Sequence, residues 1–305
     1  MLAWLCTTDH PRGCNTPAVA RQFVYTAGMI ARSSLLTVCL LALPPLFSAP
    51  AGALAATPAN AGRVSRLLAV SDSAYAALDL ARAHATAAAA VARDSTSGAA
   101  AWRLARVLLE QSDDATDNGP RRRLIAAAVG QARRAARFDP DAPWGHVYTA
   151  IAAGKLALLE GGRAKIRLGG EVRDAARRAL ARDPRNDLAL DVLGQWHREV
   201  ATLSPVLRLA ARIMYGGVPA GASLDSSAVL LAQAVALAPQ RIRHRVELGA
   251  TDLELVRYPA AIAAFDTALA LPRRDPGDVR LQARASQLRE RARRLLSRPQ
   301  RDVSR

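Results

Sequence analysis

The chain has 305 residues, of which 50% are hydrophobic and only 4% aromatic, and it carries 42 Lys and Arg against 26 Asp and Glu. This length allows one or two domains with a sizeable core, and the composition excludes a collagen, a disulfide-rich miniprotein and an acidic disordered tail. The formal charge of +16 comes almost entirely from arginine, and abundant alanine favours helices over sheet.

The N-terminal part of the chain has the pattern of an export signal preceded by an extension. Residues 1–28 show no helical periodicity, and we expect translation to begin at Met29. Residues 29–55 combine a charged start, an apolar run of about 13 residues and small residues that permit cleavage after Ala53 or Ala55. The run is short for a transmembrane helix, which needs about 20 residues. We therefore expect a periplasmic or secreted protein, with a retained N-terminal membrane anchor as the alternative.

Signals for catalysis and for metal binding are weak. All three cysteines lie upstream of the expected cleavage site, so the mature chain has no thiolate nucleophile, disulfide or cysteine-based zinc site. It has no nucleotide-binding glycine loop, H-E-x-x-H helix or G-x-S-x-G elbow. We predict no enzyme activity, no cofactor and no metal. The histidines beyond residue 55, none at a convincing ligand spacing, are His84, His146, His197 and His244.

The remaining chain predicts one helical domain over 56–297, followed by a basic flexible tail at 298–305. A polar stretch at 112–120 predicts a loop, and residues 203–224 predict an insertion with one short helix and a loop rich in glycine and proline. The predicted helices span 62–72, 74–92, 97–111, 120–138, 143–160, 164–182, 187–202, 204–215, 225–238, 241–256, 258–271 and 277–297.

A segment of small residues that ends at a proline recurs along this domain. It reads ARRAARFDP at 132–140, ARRALARDP at 176–184, LAQAVALAP at 231–239 and FDTALALP at 265–272. Each segment predicts a helix end, because proline cannot continue a helix, and its small residues let neighbouring helices approach closely. The partner helices carry Leu-Gly pairs at 193–194 and 248–249, where a mid-helix glycine indicates a tight helix crossing.

The spacing around the second Leu-Gly pair resembles a known repeat. Gly249 is followed by Ala261, Phe265 and Ala268 and then by a proline. This order is similar to the tetratricopeptide repeat, a helix–turn–helix unit of about 34 residues. The resemblance implies an all-α fold, a tetratricopeptide-like helical-hairpin superhelix, or α-α solenoid.

A closer resemblance, over roughly 62–297, is carried by four blocks: WRLAR at 102–106, 148–170, LGQWHREVA at 193–201 and 224–272. They resemble the regulator of microtubule dynamics family, and the helix inserted after LGQWHREVA is the most diagnostic part, because a plain tetratricopeptide repeat lacks it. The resemblance implies a tetratricopeptide-like domain with an interaction role, and it implies that animal members associate with microtubules or organelle contact sites. Since a bacterial-type export signal directs this chain to a compartment without microtubules, we extend only the fold and the interaction role to it.

Stacked helical hairpins present a concave groove lined by the first helix of each pair, and such grooves bind extended segments. We therefore predict a non-enzymatic scaffold of the cell envelope that binds a protein or peptide in this groove. Arginine and lysine there could hold carboxylates of the partner. The alternative is that these charges form a solvated face or pair with the glutamates of the groove. The predicted partner-binding residues are Arg103, Glu110, Lys155, Asp191, Gln195, Arg198, Arg243 and Glu254.

The basic residues cluster in two places. Residues 121–138 hold six arginines and no acid, and residues 273–305 hold eleven arginines and four acids. The alternative function is therefore an accessory protein that binds a polyanion or an anionic membrane surface through Arg-rich helices. Nucleic acid is not an expected partner, because the chain has an export signal, few aromatic residues and no nucleic-acid motif.

Two further patterns predict packing. The last helix carries an apolar stripe, which predicts a terminal cap of the repeat, with a partner-binding seam as the alternative. The stripe comprises Leu281, Ala285, Leu288, Ala292 and Leu295. Trp102, Trp144 and Trp196 are expected to pack between repeats, and an aromatic ligand box is the alternative.

Overall fold

The computed structural model describes residues 58–215 and 221–298, which belong to one compact unit, residues 53–305. The predicted extension, the predicted export signal and the predicted tail beyond residue 298 lie outside the described residues. Across the described ranges the secondary structure is helical, without a strand. The helices are α1 (Pro58–Ala76), α2 (Leu80–Arg93), α3 (Gly98–Asp114), α4 (Asn118–Phe138), α5 (Pro143–Glu160), α6 (Gly162–Arg182), α7 (Asp187–Ala201), α8 (Pro205–Tyr215), α9 (Leu224–Leu237), α10 (Ile242–Glu254), α11 (Tyr258–Ala270) and α12 (Asp278–Leu296).

The helices pair into five hairpins that stack in chain order. The pairs are α1 with α2, α3 with α4, α5 with α6, α7 with α9, and α10 with α11. The first helix of each hairpin also packs on the first helix of the next, so that α1, α3, α5, α7, α10 and α12 form one inner row. This stacking confirms the predicted all-α, tetratricopeptide-like solenoid. Its hydrophobic core lies between the paired helices of each hairpin and between neighbouring hairpins.

The small residues of the recurring segment lie where the helices approach each other. Ala132, Ala176, Ala234 and Ala268 occupy the second helices of their hairpins and are fully buried. An alanine at each position loses no side-chain entropy on folding and keeps the helix axes close together. These four alanines explain why the segment recurs at the spacing of the hairpins.

The two Leu-Gly pairs mark tight crossings, as predicted. A Cβ atom on Gly194 would lie 2.7 Å from Cγ of Leu231 on α9, and one on Gly249 would lie 2.7 Å from Cε1 of Phe265 on α11. Real Cβ atoms do not approach carbon this closely. The low helix propensity of glycine is therefore offset by packing across α7–α9 and α10–α11.

Helix α12 caps the repeat, as the stripe on this helix predicted. Ala285 and Ala292 are fully buried, and α12 packs on both α10 and α11. The partly buried stripe residues Leu281, Leu288 and Leu295 contact the cluster around Phe265. The apolar end of α10–α11 is thereby covered.

Two predicted boundaries were wrong. The first two helices were placed at 62–72 and 74–92, but α1 continues to Ala76 and the turn lies at 77–79. Leu78 has φ +62, the amide of Asp79 bonds to the carbonyl of Ala74, and the Asp79 side chain caps α2 at Arg82. The turn is therefore made by a left-handed leucine, a conformation that sequence rules assign to glycine or asparagine.

The predicted loop at 112–120 is also shorter in the structure, where only residues 115–117 separate α3 from α4. The hydroxyl of Ser112 donates to the carbonyl of Leu109, which keeps it within α3. Pro120 lies in the first turn of α4, where backbone amides have no acceptor within the helix. The missing amide proton of proline therefore costs no helical hydrogen bond.

The insertion contains α8, close to the predicted helix at 204–215, and part of its predicted loop falls on 216–220, outside the described residues. Among the helices of residues 58–215 and 221–298, none is both long enough and apolar enough to cross a bilayer.

Candidate functional site

The inner row of helices encloses two neighbouring cavities, which together we call the concave groove. The first, of about 620 Å³, lies among α5, α6, α7 and α10, and the second, of about 670 Å³, lies among α1, α3, α5 and α10. Helix α12 contributes to both cavities, and the segment before it contributes to the second. The residues that line both cavities form their junction: Ile151, Lys155, Leu188, Arg243 and Leu281.

The first cavity has an apolar wall and a charged end. Its charged end comprises Asp113, Lys155, Asp191, Glu247, Arg280 and Arg284. Its apolar lining includes Leu158, Ile166, Val172, Val192, Trp196 and Val200. An apolar pocket with a few convergent polar groups is the usual form of a ligand site in proteins.

The second cavity is lined by stacked aromatic rings and arginine. Trp102 stacks on Trp144 with ring centroids 5.3 Å apart and on Tyr148 at 5.6 Å. The guanidinium of Arg106 lies 3.9 Å from the ring centroid of Tyr75. Trp196 lies elsewhere and donates from Nε1 to the carbonyl of Gly169 at 2.7 Å. The three tryptophans therefore do not form one aromatic box.

Ion pairs join α12 to the opposite side of the groove. Arg280 pairs with Glu110 at 3.5 Å, with Asp113 at 3.4 Å and with Asp114, all near the end of α3. Lys155 of α5 pairs with the same Asp113 at 2.5 Å. These contacts connect residues up to 170 positions apart, and they close the groove at the end where α3, α5 and α12 meet.

Lys155 and Arg243 are the two cations at the junction, and only Lys155 has a direct side-chain partner among the described residues. The side chain of Arg243 makes no hydrogen bond and no ion pair with any residue that the structure describes, although it lies at the junction of the cavities. Burial lowers the pKa of Arg243, but the nearby charges of Asp191, Glu110 and Glu247 raise it more, so the guanidinium stays protonated. A cation with carboxylates around it but no direct partner can bind an anionic group of a ligand.

The structure brings five of the eight predicted partner-binding residues to the groove, and these are Glu110, Lys155, Asp191, Gln195 and Arg243. The other three line neither cavity. Arg103 pairs with Asp72 of α1 at 2.8 Å, and Glu254 is exposed at the end of α10. Arg198 is buried against Glu247.

Sequence reasoning missed the α12 side of the groove. Arg280 and Arg284 lie four residues apart, beside Leu281 of the apolar stripe, and this spacing places both arginines on one helix face. Their pairing with α3 and α10 depends on the curvature of the whole unit, for which the sequence has no local signal.

A buried histidine joins α7 to α10 next to the groove. His244 is 0% exposed, and its Nδ1 lies 2.9 Å from Oδ1 of Asp191 while its Nε2 lies 2.8 Å from Oδ2 of Asp187. Both ring nitrogens can donate only when the imidazole is protonated. Burial lowers the pKa of His244, but the hydrogen bonds to both carboxylates raise it more, so the pKa lies above its usual value.

We expect the stability of the protein to fall as the pH rises through this raised pKa. The folded-state pKa exceeds the unfolded value of about 6.5, so the contribution is fully present below pH 6.5 and is lost above the folded pKa. Each tenfold gain in proton affinity on folding corresponds to about 1.4 kcal/mol. Urea midpoints measured from pH 6 to 9 should decline for the wild type and stay flatter for His244→Gln.

The comparison with His244→Gln is needed because two other histidines also titrate. Burial lowers the pKa values of His146 and His197, so their contribution to stability falls as the pH falls, opposite in sign to that of His244. Arg241 also contacts Asp187, at 3.2 Å. Parallel profiles of the wild type and the variant would contradict a protonated His244.

Five stacked hairpins, a capping helix and a groove on the inner row define a tetratricopeptide-like repeat protein. Residues 67–293 match the sequence profile of regulator of microtubule dynamics proteins 1-3, and the chain belongs to this family. Regulator of microtubule dynamics protein 1 of Bos taurus is 24% identical over 189 residues, which cover 61% of this chain and 59% of the bovine protein.

Among solved structures, a thermophilic TPR protein of Thermus thermophilus supports the fold. It superposes with a TM-score of 0.53 at 18% identity, covering 74% of this chain and 98% of that one. MamA of Desulfovibrio magneticus RS-1 superposes with a TM-score of 0.39 at 12% identity, covering 68% of this chain and 94% of that one.

Proposed function

We propose that this protein is a non-enzymatic interaction scaffold of the cell envelope, which binds an extended peptide segment of a partner in its concave groove. The observation that carries the proposal is Arg243, a charged side chain without a direct partner among the described residues, at the junction of two cavities. The envelope location is supported by the export signal in residues 29–55.

The shape and chemistry of the groove favour an extended segment with a carboxylate. The two adjoining cavities, of about 620 and 670 Å³, can each hold side chains of the same bound peptide. Apolar side chains of the peptide would fit the wall around Trp196 in the first cavity. A carboxylate placed between the cavities would meet Arg243, which can donate two parallel hydrogen bonds. An Asp or Glu side chain, or the C-terminus of the partner, supplies such a group.

This proposal is tested by selecting short random peptides on residues 53–305. Selected peptides should be enriched in a carboxylate next to an apolar residue, and Arg243→Gln should weaken their binding about 10- to 100-fold, the value of a hydrogen bond to a charged group. Fluorescence polarisation of labelled peptides measures the Kd.

Arg122→Gln is the matched control, because it removes the same charge from an exposed position of α4 outside both cavities. Peptides that bind Arg243→Gln as tightly as the wild type would overturn the groove assignment.

The alternative, binding of a polyanion or an anionic membrane surface through Arg-rich helices, has less support at α12. Arg291 and Arg294 of α12 form no ion pair with a described residue, but Arg280, Arg284, Arg289 and Arg293 pair with carboxylates of this chain. Each would have to leave its partner to contact an anionic surface, which reduces the gain from binding.

A further inference from the structure

Helix α8 exposes an apolar stripe that the repeat does not use. Val206, Leu209 and Ile213 lie on one face of the helix and are 77%, 58% and 75% exposed. The opposite face carries Ala211, which is 1% exposed and forms part of the wall of the first cavity. Among the described helices only α6 packs against α8, so no described element covers the exposed face.

The surroundings of this stripe are basic. Arg212 lies at one edge of the stripe, beside Leu209, and Arg208 lies one turn before it and further round the helix towards Ala211; both arginines are exposed. Arg208 donates to the carbonyls of Ala201 and Leu203, and Arg212 forms no ion pair with a described residue. Residues 200–224 contain no Asp or Glu. The arginines of α8 therefore keep their charge available for an anionic partner.

A second copy of the chain is a poor occupant of this face. Pairing two α8 helices through their stripes would bring Arg208 and Arg212 close to the same arginines of the partner copy. Three aliphatic side chains also cover far less than the roughly 800 Å² per partner that a standard protein interface buries.

An anionic lipid surface fits both features. Helices that bind a bilayer surface insert an apolar face about 5–10 Å into the boundary between headgroups and acyl chains. Arginines at the edge of that face reach the lipid phosphates, because a long side chain can keep its charged end in the polar layer. We propose that α8 is an interfacial helix that docks this protein reversibly on an anionic bilayer, independently of what the groove binds.

Co-sedimentation with large vesicles tests the proposal on residues 53–305, which lack the apolar run of the export signal. Vesicles of phosphatidylcholine mixed with phosphatidylglycerol, whose negative surface attracts basic segments, are compared with pure phosphatidylcholine. The wild type should partition onto the anionic vesicles and much less onto the neutral ones. Leu209→Ser/Ile213→Ser should lower the partition coefficient at least about tenfold, because the apolar contact is lost. Arg208→Gln/Arg212→Gln should remove the preference for anionic vesicles.

The matched control is Val229→Ser/Val279→Ser, which removes two valines that are 58% and 54% exposed on α9 and α12. It should sediment like the wild type, and circular dichroism should show that all variants are folded. Equal sedimentation of Leu209→Ser/Ile213→Ser and the wild type would overturn the proposal. If high salt then abolished the sedimentation of this variant, the Arg-rich 273–305 segment would be the contact. A wild type that does not sediment, or a dimer that the Leu209→Ser/Ile213→Ser change dissociates, would also overturn it.

Discussion

Glu247→Gln is expected to lower the free energy of unfolding by about 3–5 kcal/mol, because it leaves a buried arginine without its counter-charge. The side chains of Arg198 and Glu247 are 8% and 4% exposed, and Nη2 of Arg198 lies 2.5 Å from Oε2 of Glu247. Arg198 Nη1 also donates to the carbonyl of Glu247 at 2.9 Å. The pair thus joins α7 to α10 through a buried contact.

The same pair predicts a loss of stability in acid. Burial raises the pKa of Glu247, but the charges of Arg198 and Arg284 lower it more, to about 2. The folded pKa lies below the unfolded value of about 4.5, so the contribution is fully present above pH 4.5 and is lost as the pH falls towards 2. A difference of this size corresponds to about 3 kcal/mol.

Urea unfolding at pH 7 and at pH 3 checks both expectations. The wild type should lose stability between these values, and Glu247→Gln should lose less. Arg284→Gln is the control, because this arginine contacts Glu247 from a 43% exposed position and should contribute at most about 1 kcal/mol. If Arg284→Gln destabilised the protein as much as Glu247→Gln, the buried Arg198 contact would not be the dominant one.

The repeat was predictable because its signals are local. Proline at a helix end, alanines on one face and the Leu-Gly pairs all act within one hairpin, and Gly194 and Gly249 do make the close contacts that their positions predicted. The left-handed turn at Leu78 was not predictable, because no glycine or asparagine marks it. The ion pairs of Arg280 on α12 with α3 join residues up to 170 positions apart, and no single segment encodes them.

The candidate site was predictable only in part, for a related reason. Arg198 and Arg243 both lie on first helices of hairpins, and counting helix faces assigned both to the groove. Their environments differ because Glu247, 49 residues further along the chain, pairs with Arg198 and makes no direct contact with Arg243. Periodicity predicts which helix carries a charge, whereas the partner from a neighbouring helix decides whether the charge is buried or available.

Gly145→Ala should destabilise the protein by about 3 kcal/mol, because the added methyl group would enter the backbone of another helix. Its Cβ would lie 2.4 Å from the amide nitrogen of Ala136 and 2.7 Å from the carbonyl carbon of Ala135, both on α4. Backbone atoms inside a helix cannot move aside as the end of a flexible side chain can. The substitution should therefore separate α4 from α5 and shift Trp144, which changes the tryptophan fluorescence.

Gly130→Ala provides the matched control within α4. An added Cβ there has no neighbouring atom within 4 Å, so the helix should gain about 0.5–1 kcal/mol from the better propensity of alanine. Urea unfolding of both variants should give changes of opposite sign. If Gly145→Ala changed the stability by less than about 1 kcal/mol, α4 and α5 would not touch backbone to backbone. The stacking of Trp102 on Trp144, and with it the wall of the second cavity, would then need a different explanation.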